Sequence, residues 1–422
     1  MLAACAYLVA LPYAAAPLLG ALSLPLARMH SSFGFIFGGS LVALILLFSP
    51  PIVVMGMTSP FLIRLLAQRR QVGEAAGSIF AVSTLGSVLG TFLPVLLFIP
   101  TLGTGKTIIA FAGGLLLVAA LGLRRRAAAV LGLLALAPLL GPAPAMRQLP
   151  GQIWAGESAY QTIQVVDRGS FRFLAYDDAA GWQTVANRAG PLTGRYYDYY
   201  SLLPRYLDRS ARSALVIGLG GGVIANQLRH YYPQISLTGV EIDPLAIDVA
   251  RRFFALDPAT RVVNQDGRIF ASLDRGTYDI AVVDAYTRQV YIPFHLATRQ
   301  FFAQVKNRLA ADGLLAMNVS SVRKDSPLVR ALCATLRAVF AHAYVMRIPG
   351  SYSNVVLASD RALNFAVPAG TLDPQLERLA AVGSAAFRED LAGAPEPPLT
   401  DDRAPLELLM DWELLARRAG PG

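Results

Sequence analysis

The stretch Ala214 to Asp243, ALVIGLGGGVIANQLRHYYPQISLTGVEID, decides the fold. Ala214 to Ile217 are consecutive apolar residues, the pattern of a short buried strand. Glycines follow at 218, 220, 221 and 222, and a helical pattern opens at Val223 and Ile224. Small residues at a strand-to-helix turn let a ligand approach the backbone, where the amides of the helix N-terminus face it. A second strand-like run, Ser236 to Val240, leads into Glu241. An acid at the end of the second strand, roughly 20 residues past the turn, accepts hydrogen bonds from ribose hydroxyls in doubly wound sheets. The spacing points to a nucleoside site.

The pattern repeats downstream. Asp266-Gly267 follows the run Arg261 to Asn264, and Asp284 ends the run Tyr278 to Val283. The glycine turn, Glu241, Asp266 and Asp284 thus fall at the carboxyl ends of successive predicted parallel strands, the ligand-binding edge of an open α/β sheet. A loop, Ala285 to Phe294, then precedes a predicted helix, Leu296 to Leu309, a strand, Gly313 to Val319, and a helix, Pro327 to Ala341. The runs Tyr344 to Ile348 and Asn354 to Ala358 can close the sheet. This alternation predicts one doubly wound, Rossmann-like domain. Upstream, YQTIQVVDRGSFRFLAYDD alternates apolar and polar residues around Asp167-Arg168-Gly169, a β-hairpin signature, and Gly194 to Leu207 reads as a Tyr-rich helix. Val223 stands where the third glycine of G-x-G-x-x-G belongs, which argues against an NAD-dependent dehydrogenase.

Composition adds a second part. Of 422 residues 54% are hydrophobic and 15% charged, and the apolar excess lies before about Met146. A Pro-rich joint, Gly141 to Gly151, separates it from an ordinary globular sequence. Crossing a bilayer takes about 20 apolar residues. Candidate spans are Leu2 to Leu24, Phe33 to Met57 with an expected kink at Pro50-Pro51, Ile79 to Ile99, and Thr107 to Leu123. Thr58 to Arg70 reads as a helical extension leaving the membrane, and Ala127 to Met146 as a fifth uncharged stretch interrupted by prolines. The expected organisation is a transmembrane helical domain at 1–146 with four or five spans, a β-hairpin region and Tyr-rich helix at 152–207, and a Rossmann-like domain at 208–412.

The net charge of +9 is carried in part by arginines at 64, 69, 70 and 124 to 126, beside apolar runs. This favours the lipid bilayer over nucleic acid as partner and a multi-pass cell-membrane location. If the fifth stretch crosses, the soluble domain lies outside; if not, it is cytoplasmic, which a cytosolic nucleoside favours. Cys5 and Cys333 and the four isolated histidines offer neither a disulfide framework nor a metal site.

Together these motifs resemble the spermidine synthase (polyamine aminopropyltransferase) family, and more closely bacterial proteins in which such a domain follows major-facilitator-like membrane helices. Matching stretches are MGMTSPFLIRLL (Met55 to Leu66), AVSTLGSVLGTFLPVLLFIPTLG (Ala81 to Gly103), YQTIQV, the glycine turn, VEID, QDGR, VVDAY, IPFHLATRQFF (Ile292 to Phe302) and LTDDRAPLELL (Leu399 to Leu409). The resemblance implies decarboxylated S-adenosylmethionine as cosubstrate, a small-molecule amine as acceptor and no metal, and is compatible with a homodimer. It assigns Gly218, Gly220, Gly222, Glu241, Asp266 and Gly267 to the nucleoside and Gln183 to its sulfonium end. Asp284 matches the first aspartate of the family's Asp-x-x-Asp motif, the general base, and Tyr197 and Tyr286 fall to the amine substrate. A carboxylate suits that task, because the amine arrives protonated and must lose a proton to attack carbon beside a sulfonium.

Two positions depart from the family. Gly221 replaces an aspartate inside the glycine turn, and Thr287 replaces the second aspartate of Asp-x-x-Asp. Removing one partner of a buried charge pair costs about 3 to 5 kcal/mol, enough to change which substrate binds. Asp177 and Asp178 are nearby acids able to replace a lost charge. The alternatives are methyl transfer from S-adenosylmethionine to a small or lipid-borne substrate, and a transporter or sensor that binds a polyamine or nucleoside without turnover.

Overall fold

The computed structural model describes residues 4–11, 13–14, 32–123, 136–140, 149–177, 181–287, 291–321, 326–367, 370–389 and 396–418. Most of the predicted spans at Leu2 to Leu24 and Ala127 to Met146, together with Arg124 to Arg126 and Asp178, lie outside them. The chain divides into two compact units, Met1–Gln148 with Glu157–Ala159, and Leu149–Gly156 with Tyr160–Gly422.

In the first unit a helix spans Ser32–Gly56 and carries Pro50 and Pro51 in its interior, so the chain stays helical through the expected kink. Helices Thr58–Leu66 and Val72–Leu93 follow. The latter continues through a π-helical segment, Pro94–Phe98, into Ile99–Leu102. Pro94 has no N–H to give, and the Ile99 amide bonds to the Pro94 carbonyl five residues back, which widens the turn. Two helical stretches, Leu41–Leu66 and Val72–Leu102, are long and apolar enough to cross a membrane.

The second unit opens with a four-stranded antiparallel sheet in the order β1 (Gln152–Glu157), β2 (Thr162–Arg168), β3 (Phe171–Tyr176) and β4 (Thr184–Asn187). The hairpin read from sequence is β2 and β3, turning at Gly169 with φ +59°. The Tyr-rich segment is a 3₁₀ helix, Tyr196–Arg205, rather than an α-helix. Asp198 fixes its start by accepting hydrogen bonds from the Thr193 and Gly194 amides, and Pro204 in its last turn has no N–H for an α-helical ladder.

An eight-stranded sheet forms the body. Its strands are β5 (Ser213–Ile217), β6 (Ser236–Glu241), β7 (Arg261–Asn264), β8 (Tyr278–Val283), β9 (Leu309–Ser320), β10 (His342–Arg347), β11 (Ser353–Ser359) and β12 (Arg388–Glu389), in the order β12-β10-β11-β9-β8-β5-β6-β7. From β7 through β9 neighbours run parallel; β11, β10 and β12 add on antiparallel. This is a Rossmann-like, methyltransferase-type sheet. Burial on both faces explains the unbroken apolar runs: Ala214 and Val216 join one core, Leu215 and Ile217 the other. Helices α1 (Val223–Tyr231), α2 (Pro244–Phe253) and α6 (Pro374–Ala386) pack on the first face, with α3 (Gly267–Leu273), α4 (Arg299–Lys306), α5 (Pro327–Arg337) and α7 (Leu406–Arg418) on the second. The helix expected over Leu296 to Leu309 is shorter, because Thr298 caps α4 and β9 already begins at Leu309.

Candidate active site

Register brings the candidate residues together. Ile217 lies opposite Val240 on β6 and opposite Val283 on β8, so Gly218, Glu241 and Asp284 leave three adjacent strands at one level. The chain turns to opposite sides of the sheet beside β5, the switch point at which such sheets bind ligands. A cavity of about 660 Å³ opens there, and its wall includes Gln183, Gly218, Gly220, Glu241, Asp266, Gly267 and Asp284.

The glycine turn is shaped by close approach. Gly218 has φ +86°, and a Cβ on it would stand 2.6 Å from the Asp284 carbonyl oxygen and 2.7 Å from Ala285 N. Only glycine lets the ends of β5 and β8 meet this closely. Gly222 caps α1 in the left-handed region at φ +76°. Gly221 is hemmed in by Thr184: a Cβ would lie 2.7 Å from the threonine methyl, and the Gly221 amide donates to Thr184 Oγ1 at 3.0 Å. The space an acid would need at this position is occupied.

Glu241 is buried, and its carboxylate accepts from the Gly220 amide at 3.0 Å and the Asp243 amide at 3.2 Å. Burial raises its pKa against the pull of those amides. A carboxylate has about four acceptor sites, so Glu241 can hold the turn and still accept from ligand hydroxyls. Asp266 caps α3, its Oδ1 accepting from the Arg268 and Ile269 amides, while Oδ2 lies 3.2 Å from His295 Nε2. Gly267 admits Ile217, whose Cγ2 would be 2.4 Å from a Cβ there. The side-chain nitrogen of Gln183 is buried in the wall with no partner among the described residues.

Asp284 accepts the Tyr196 hydroxyl at 2.7 and 3.0 Å. Removal from bulk water pushes its pKa from 3.8 up to about 6, against hydrogen bonds from Tyr196 and Asn318 that pull it down. The Tyr196 phenol is itself held well above its ordinary value by burial, so it stays a donor. A carboxyl group with such a pKa can exchange its proton close to neutral pH. Tyr197 also lines the cavity, but its hydroxyl donates to the Val185 carbonyl at 2.7 Å and accepts from the Val185 amide at 2.8 Å. The ring that meets Asp284 is its neighbour Tyr196, which the sequence did not single out from the other tyrosines. Tyr286 is in the wall with its hydroxyl on the Asn318 carbonyl at 2.7 Å. Of the two acids considered as replacements, Asp177 reaches the wall; it takes φ +51° and accepts from the Thr162 amide.

Tyr196→Phe removes a donor that favours the ionised form, so the Asp284 pKa rises above about 6. A hydrogen bond to a charged group is worth about 1.5 to 3 kcal/mol, or roughly one to two pH units. The acid limb of a pH–rate profile is expected to move up by that amount. An unmoved limb would separate Tyr196 from the titration of Asp284.

Comparison with known proteins gives a consistent family. A profile of the spermine/spermidine synthase domain matches residues 195–361. A probable polyamine aminopropyl transferase of Bifidobacterium longum is 30% identical over 298 residues, covering 64% of this chain and 65% of that protein. The polyamine aminopropyltransferase of Vibrio vulnificus is 34% identical over 212 residues, covering 48% of this chain and 70% of that protein. Among solved structures, a spermidine synthase in complex with the transition state analogue AdoDATO is 18% identical, with a TM-score of 0.45 over 56% of this chain and 85% of that one. The chain thus spans about two thirds of the length of these two curated relatives.

Proposed function

The chain belongs to the spermine/spermidine synthase family, and from that premise we propose that it transfers an aminopropyl group from decarboxylated S-adenosylmethionine to a polyamine-type amine. The observation that carries this reading is the charge of the cavity. Asp177, Glu241, Asp266, Asp284, Glu407 and Asp411 line it, with no lysine or arginine among its described lining residues. Such a wall favours two cations, a sulfonium nucleoside lacking a carboxylate and an amine.

In the reaction the acceptor nitrogen attacks the aminopropyl carbon bonded to sulfur. The new C–N bond forms as the C–S bond breaks, and the sulfur leaves as neutral methylthioadenosine. Asp284 takes the proton that the acceptor nitrogen must lose, Tyr196 holds the carboxylate in place, and Glu241 and Asp266 border the nucleoside. The two long apolar helices support anchoring in the cell membrane, and a cosubstrate made in the cytosol favours the cytoplasmic side for the second unit. Incubating the full chain with decarboxylated S-adenosylmethionine or S-adenosylmethionine and a panel of amines, with products read by mass spectrometry, tests the reading. Methylthioadenosine with an aminopropylated amine is expected. A methylated amine would assign the site to methyl transfer instead, and binding of both ligands without product would make the protein a binder.

A further inference from the structure

The glycine turn carries three consecutive amides, at Gly220, Gly221 and Gly222, and the groups that satisfy them differ in origin. The Gly220 amide donates to Glu241 at 3.0 Å and the Gly222 amide to the Leu219 carbonyl at 2.8 Å, both within the stretch from β5 to β6. The Gly221 amide is met from outside that stretch. Thr184 of β4, in the antiparallel sheet, accepts it on Oγ1 at 3.0 Å. A backbone N–H has one hydrogen to give, so this donor is closed to a ligand. Thr184 is itself held from both sides: the Gln183 amide donates to the Leu174 carbonyl at 2.8 Å, and the Val185 amide and carbonyl both meet the Tyr197 hydroxyl. Its side chain is buried yet borders the cavity, and it is fitted against glycines. A Cβ on Gly220 would lie 3.0 Å from Oγ1, and one on Gly221 would lie 2.7 Å from Cγ2.

β5 stands between β6 and β8. With the sugar at Glu241 and the reacting carbon at Asp284, the sulfur and the arm it carries therefore pass over the end of β5, the interval that the turn and Thr184 border. We infer that Thr184 determines cosubstrate specificity by occupying the Gly221 amide, which denies the carboxylate of S-adenosylmethionine a donor at this point. Of the three amides, it is the one that can be freed without disturbing Glu241 or the turn's own backbone. The class of cosubstrate selected is a sulfonium nucleoside whose arm ends without an anion, an assignment that rests on the transferase reading above for where the nucleoside lies.

The test is calorimetric titration of the full chain and of Thr184→Ala and Thr184→Ser with S-adenosylmethionine and with its decarboxylated form. In Thr184→Ala the freed amide can donate to the carboxylate, so S-adenosylmethionine is expected to bind about tenfold more tightly than it does to the unaltered chain. The preference for the decarboxylated form should fall by the same factor. A gain of affinity is not what a merely loosened fold produces. Thr184→Ser keeps the hydroxyl and is expected to keep the unaltered preference to within about twofold. A preference that stays put in Thr184→Ala, or a Thr184→Ser chain that behaves like Thr184→Ala, would overturn the inference and leave the transferase reading standing. Tighter binding of S-adenosylmethionine in Thr184→Ala, in a chain that forms no aminopropylated amine, would sustain the role of Thr184 while removing the transferase reading.

Discussion

Asp284→Asn is expected to lower kcat by between about 100- and 10,000-fold, the usual share of a positioned general base. Asparagine keeps the shape and can still accept from Tyr196, but it cannot take the proton of the attacking amine. Nucleoside affinity is expected to stay nearly intact, because Glu241 and the glycine turn do not depend on that charge. Stability should move the other way. Folding raises the pKa of Asp284 from 3.8 to about 6, so the folded state disfavours its charge. The contribution of Asp284 to stability is therefore full at pH values below its unfolded pKa and is lost as pH rises through about 6. Two pKa units correspond to at most about 3 kcal/mol, less here because the carboxylate opens on the cavity. Asp284→Asn should accordingly melt several degrees higher at pH 8 and show no such gain at pH 4. Wild-type turnover in this variant would take Asp284 out of the mechanism.

Much of this site can be read directly from the chain, and the reasons are local. Strands β5 to β8 are short, apolar and bounded by glycine or acid, so Gly218, Glu241, Asp266 and Asp284 mark their own strand ends. Once parallel pairing is granted, in-register neighbours bring them to one edge. Roles were harder to read than positions. Asp266 is also the cap of α3, and Glu241 is also a strut of the glycine turn, because hydrogen-bond partners depend on backbone angles. Tyr196 and Tyr197 are adjacent in a tyrosine-rich segment, and only the turn of the 3₁₀ helix decides which hydroxyl finds Asp284 and which finds Val185. Glu407 and Asp411 carry no local signal at all. They come within reach of the cavity through the packing of α7 more than a hundred residues after Asp284. One departure also acquires a physical meaning: Thr184 fills the space beside Gly221.

The second large effect concerns the cosubstrate. S-adenosylmethionine differs from its decarboxylated form by one carboxylate, which needs a cation or free amides. The described lining has no lysine or arginine. The amides of the glycine turn are already engaged, Gly220 with Glu241, Gly221 with Thr184 and Gly222 with the Leu219 carbonyl. An added carboxylate roughly 6 Å from one wall acid, at an effective dielectric of about 20, costs about 3 kcal/mol. That is about 100-fold in affinity. Raising the ionic strength should narrow the gap only modestly, since charges inside a cavity are weakly screened.

The central claim is that an acidic pocket at the ends of these strands accepts a cationic nucleoside without a carboxylate. Its most direct test is the ratio of dissociation constants for S-adenosylmethionine and decarboxylated S-adenosylmethionine, titrated calorimetrically into the full chain. The decarboxylated form should bind on the order of 100-fold more tightly. Equal affinity, or tighter binding of the carboxylate-bearing form, would contradict the account.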